Sequence, residues 1–198
     1  MAGLFGGMRG GAQLPMRGAL EYRYNNARNQ LLWVVVFSAI NLVLQLVGAD
    51  LYFLFSAFVP LILTSVGLDI CGKYPAEYYG EGYESMEFLP SSVLAVIAGI
   101  SFAIVGAYLL FWFLSKKQKV AWLIVALVFF ALDTVTMILI AGISVDMVLD
   151  LVFHAWVLYA LASGVRAAFQ LKKLPPEEEL SGDQADPAGQ PLDFTVGE

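Results

Sequence analysis

Three acids and the chain's one histidine stand in the apolar stretch 120–171, where chemistry could be done: Asp133, Asp146, Asp150 and His154. Asp146, Asp150 and His154 recur at steps of four, so one helix would carry them along a single face. Asp133 belongs to the preceding apolar run, and Gly142 and Ile143 leave room only for a tight hairpin between the two. Asp133 lies nine residues before Gly142 and His154 twelve after it. At ~1.5 Å rise per residue, the two side chains come within roughly 3–5 Å of the same depth.

A carboxylate beside an imidazole inside an apolar hairpin has three uses. The first is a structural hydrogen bond pinning two helices, with Thr134, Thr136 and Tyr159 assisting; buried polar groups are usually satisfied by such neighbours. The second is a proton or ion path, since intramembrane acids and histidines often mark one. The third is a metal site in which Asp133, Asp146, Asp150 and His154 supply carboxylate and imidazole ligands. One histidine is meagre for zinc. Asp146 also has a simpler role near Ser144, where a helix start would favour both a cap and an acid.

The elements that must position these groups are long and apolar. Of 198 residues, 59% are hydrophobic and 14% charged, and the mean hydropathy is +0.72. A soluble domain has no use for several apolar runs of this length, so the reading is an all-α integral membrane protein. The runs are 31–47, 51–68, 91–114, 120–141 and 144–171, inside a transmembrane domain over 31–173. Residues 1–30 read as a flexible basic segment, Gly-rich to 18, with a possible interfacial helix over 19–30. Residues 174–198 hold seven acids and no base and read as a disordered acidic tail. The start has no apolar core, so a cleavable signal peptide is not expected and the first membrane helix should do the targeting.

The run 51–68 is long enough to cross, but Pro60 removes a backbone donor in its middle. Positive charge decides between crossing and returning. If the run does not cross, ten Lys and Arg fall on one side against Lys73 alone; if it does, the split is five to six. The positive-inside rule favours four transmembrane helices, a short Pro-broken re-entrant or interfacial helix, and both termini cytoplasmic. Five transmembrane helices are the alternative. The loop 69–90, with five acids and Tyr74, Tyr78, Tyr79 and Tyr83, then lies outside, against the headgroups.

Two ridges of small residues, Gly99/Ala103/Ala107 and Ala160/Gly164/Ala168, suit close helix packing within the chain or with a partner. Asn41 and Gln45, four apart, suit inter-helix hydrogen bonds, and Ser91 or Ser92 could cap the next helix. The lone Cys71 excludes an internal disulfide. No nucleophile elbow, phosphate loop, dinucleotide fingerprint or metalloprotease motif is present. No cofactor is expected, and the short, largely acidic polar pieces argue against nucleic acid. The expected partners are membrane lipids, with a homo-oligomer or a membrane protein as possible partner.

The stretches YFLFSAFVP (52–60), YPAEYY (74–79), LVFFALDTVTMI (127–138) and DLVFHAWVLYALASGVRA (150–167) resemble a family of small, uncharacterised bacterial multi-pass membrane proteins. The resemblance spans most of residues 25–175. It implies a bacterial inner-membrane setting and supplies no activity and no residue roles. The expected function is a non-enzymatic structural or accessory membrane component. A small proton- or ion-coupled transporter or channel using Asp133 and His154 is the alternative, and a metal-dependent membrane enzyme the third.

Overall fold

The computed structural model describes residues 6–49, 51–142 and 144–175, with side chains from Met16 onward except that of Asp146. Among these residues the secondary structure is helical throughout: α1 (Gly6–Leu46), α2 (Phe58–Ile70), a single turn α3 (Ala76–Tyr79), α4 (Ser91–Leu114), α5 (Val120–Ala141) and α6 (Val148–Leu171). Four of them are long and apolar enough to cross a membrane: Met16–Leu46 within α1, α4, α5 and α6. The acidic stretch from 176 onward lies outside the described residues.

The core is built on α1 against α6, the most extensive helix pair in the molecule. On α1 the buried residues Leu20, Tyr24, Ala27, Leu31, Val34, Ser38 and Asn41 alternate in steps of four and three. On α6 the same alternation runs through Asp150, His154, Val157, Leu161, Gly164, Ala168 and Leu171. This is the seam spacing of helices that stay in contact over many turns. Gly164 lets them close up, because a Cβ there would collide with the Ala27 methyl. Gly164 and Ala168 therefore share a face with Asp150 and His154, since residues seven apart return to the same side of a helix, while Ala160 lies beside the seam and is half-buried.

Three sequence expectations change here. Helix α1 starts at Gly6 and is continuous through residues 19–30, where a flexible segment and a separate interfacial helix were expected. Its seam holds these turns against α6, and each further turn adds hydrogen bonds to a helix already nucleated. Helix α4 begins after Pro90 with Ser91 already its first residue, and neither serine caps it. Helix α6 begins at Val148, after a 3₁₀ turn over Val145–Met147 with no side-chain cap from Ser144. Asp146 thus lies in that turn, off the helix that carries Asp150 and His154.

The hairpin before this turn uses Gly142 at φ +73°, a left-handed conformation that glycine adopts without steric cost. The region 51–57 is not helical, and Phe55 within it has φ +76°. Pro60 does not interrupt a long helix, as its mid-run position suggested. It is the third residue of α2, where its missing N–H leaves no intrahelical bond unmade.

At one end of the bundle Arg17 donates to the Pro175 carbonyl, and Tyr24 and Arg28 reach the end of α4 at Ser115. At the other end, Tyr52 meets Asp150 near the start of α6. The loop between α2 and α4 folds on its own rings: Tyr79 packs 5.0–5.2 Å from Tyr78, Tyr83 and Phe88. Its hydroxyl donates to the Asp69 carbonyl.

Candidate functional site

Helices α5 and α6 pack side by side, with Asp133 3% and His154 1% exposed. His154 Nε2 lies 3.2 Å from Asp133 Oδ2. The ring stacks on Phe130, with centroids 5.0 Å apart and planes 16° apart, and meets the edge of Phe153. Its other nitrogen, Nδ1, is 2.8 Å from the Asp150 carbonyl oxygen.

Counting donors limits the protonation states. A carbonyl can only accept, so Nδ1 carries a hydrogen. A lone pair on Nε2 would then face a carboxylate lone pair unless one more proton lies between them. The pair therefore holds one shared proton, as imidazolium with carboxylate or as imidazole with carboxylic acid. Both forms are net neutral, which is what a low-dielectric interior demands of a buried pair.

Asp133 does more than hold the imidazole. Its Oδ2 also accepts from the Phe58 N–H at 2.9 Å, and Oδ1 accepts from the Val59 N–H at 2.8 Å. These are the first two residues of α2. The Ala57 N–H just before them donates to Ser38 Oγ at 2.8 Å, and Pro60 has none. Every N–H at this buried helix start is therefore accounted for, two of them by an acid from another helix. The carboxyl oxygens also face the positive end of the helix dipole.

The segment leading into α2 is held in the same way. Asn41 accepts from the Phe53 N–H at 2.8 Å and donates to the Phe53 carbonyl and Ser56 Oγ. One side-chain amide thus replaces the backbone partner that a helix or sheet would have supplied. Gln45 reaches Ser65 of α2.

The remaining candidates divide. Asp150 Oδ1 accepts from the Tyr52 hydroxyl at 3.1 Å, and Asp150 touches the imidazole through its backbone carbonyl. Among the described residues no cluster of three His, Cys, Asp or Glu could hold a metal ion. Thr134 and Thr136, expected beside the pair, donate instead to the carbonyls of Phe130 and Leu132 in their own helix, as intrahelical threonines often do. Tyr159 is exposed. Of the α4 ridge, Gly99 and Ala103 face outward and Ala107 is half-buried, and open space surrounds Gly99.

The role of Ser38 and the α2 amides was not seen in the sequence. The available signals were Pro60 shortly after a polar Ser56, and Ser38 and Asn41 in the four-three alternation of α1.

No known protein family, curated protein or solved structure matches this chain.

Proposed function

We propose that this chain is a non-enzymatic, accessory or structural component of a bacterial inner membrane, crossing four times with both termini cytoplasmic. In this reading the chain dips into the membrane from the outer side through residues 51–57 and returns along α2. At about 1.5 Å per residue the 13 residues of α2 cover about 20 Å, short of a full crossing. Non-helical backbone at membrane depth is tolerated only where protein buries and satisfies it. Ser38, Asn41 and Asp133 do so here.

The observation that carries the reading is the commitment of the Asp133 carboxylate. It caps α2 and holds His154 at once, so the acid–imidazole pair is a structural lock. Toward the arginine-bearing end, Leu31, Val34, Leu123, Ala126, Phe130, Val157 and Leu161 have no exposed surface. Close-packed apolar side chains there leave no polar route for a proton or ion through a single chain. The outward strip at Gly99 and Ala103 is the surface on which this reading places a partner helix or a second copy.

Two measurements test it. In proteoliposomes, wild type and Asp133→Asn are both expected to show no flux of protons or alkali cations. Flux abolished by the substitution would establish transport instead. Cysteines introduced as Gly99→Cys and Ala103→Cys are expected to cross-link to a second chain in native membranes. A lone monomer at both positions would sink the accessory role.

A further inference from the structure

We infer that the cleft between the end of α1, α2 and the start of α6 binds a primary ammonium group carried on an apolar body. The cleft encloses about 470 Å³, within the ~300–1,000 Å³ typical of small-molecule sites. Phe58, Leu61 and Ile62 wall it, and five polar side chains converge on it: Asn41, Gln45, Tyr52, Ser65 and Asp150.

The donors and acceptors of these five decide what is missing. Asn41 is fully used on Phe53 and Ser56. Ser65 Oγ accepts from Gln45 Nε2 and from the Tyr74 hydroxyl. The Tyr52 hydroxyl donates to Asp150 Oδ1. One acceptor that a ligand can reach remains: the second carboxylate oxygen of Asp150, which has no hydrogen-bond partner among the described residues, whereas Gln45 Oε1, also unpaired, is buried against the protein.

Asp150 is only 9% exposed, and among the described residues no Lys or Arg lines the cleft. A buried carboxylate with one neutral donor lacks a positive partner. A group with N–H donors and a positive charge supplies one. A guanidinium offers its planar fork to two carboxylate oxygens at once, but Tyr52 already occupies one. A compact ammonium with separately directed donors fits the single free oxygen better. The rings of Tyr52 and Phe58 add faces on which a cation is favoured. The apolar walls, and the exposed Leu51 at the rim, accommodate the hydrocarbon that such an amine would carry.

The test uses the full chain in detergent with decylamine as the probe and decanol as its uncharged counterpart, followed by calorimetric titration. Decylamine is expected to bind saturably at one site per chain, and decanol about tenfold or more weaker, the scale of one lost charge-assisted hydrogen bond. Asp150→Asn, which keeps the Tyr52 contact, should weaken decylamine to the level of decanol. Ile62→Trp, which fills the cleft and leaves every polar group in place, should abolish binding and keeps the test valid if Asp150→Asn does not fold.

Equal binding of amine and alcohol, or unchanged amine binding in Asp150→Asn, would overturn the assignment. A further arm separates the sources of the ammonium. Competition by phosphatidylethanolamine, absent with phosphatidylcholine, assigns a lipid headgroup. No competition by either, with decylamine still bound, assigns a free amphiphilic amine. Both results uphold the ammonium site.

Discussion

Among the described residues, two helix ends are capped by an ionisable side chain from a distant helix, and they lie in opposite surroundings. Asp133 of α5 accepts from the first two amides of α2. Arg28 of α1 donates to the Trp112 carbonyl and Ser115 Oγ at the end of α4, with its guanidinium 5.5 Å from the Trp112 ring centroid. Each places the charge that opposes the local end of the helix dipole. Asp133 is deeply buried and shares a proton with His154, whereas Arg28 is half-buried among Tyr24, Lys116 and other polar groups. The same electrostatic device is thus a surface refinement at one end and a condition for folding at the other. Water can replace a lost cap at the rim and cannot replace one in the interior.

The comparison can be broken by substitution. Asp133→Ala should cost the most, about 3–5 kcal/mol, because it leaves an imidazole and two buried amides without a partner. Thermal unfolding in detergent would measure it, and amide exchange should speed up first at Phe58 and Val59. A loss as small as that of Arg28→Ala would refute the difference drawn here.

Gly164→Ala comes next, at about 1–3 kcal/mol for an overpacked seam, because the new methyl meets Ala27 on α1. Ala27→Gly in the same chain should restore most of the loss, and a double variant no better than the single would place the strain elsewhere. Arg28→Ala should cost about 1.5–3 kcal/mol at most, as for hydrogen bonds to a charged group, and less in high salt. Combined with Asp133→Ala its effect should be additive within about 0.5 kcal/mol, since the two caps share no partner. Ser38→Ala, which unpairs only the Ala57 amide, should cost about 1 kcal/mol; no change in unfolding temperature would mean that the amide finds another acceptor.

The pattern of apolar runs was legible because membrane helices must be long, apolar and locally hydrogen-bonded, all of which are properties of consecutive residues. Residues 91–114 and 120–141 coincide with α4 and α5 for that reason. The reading of Asp133 and His154 at one depth used helix rise and a two-residue hairpin, whereas α6 begins only at Val148, after a 3₁₀ turn. The start of α2 was not legible. Pro60 looked like a break within a helix, and the residues that satisfy the α2 amides, Ser38 and Asp133, lie 19 and 75 positions away from them. A period of four also set the acid–histidine face of α6 apart from its small-residue ridge, whereas the actual seam alternates fours and threes and joins Gly164 and Ala168 to Asp150 and His154.

The sequence by itself therefore determined an all-helical chain with four helices long and apolar enough to span a membrane, and an acid and a histidine at matching height in one hairpin. Only the tertiary structure decided what that acid does. A carboxylate has several acceptor sites, and which donors fill them depends on the segments brought near it from elsewhere in the chain. Here they are the otherwise unpaired amides of a short helix start, which no local pattern around Asp133 encodes.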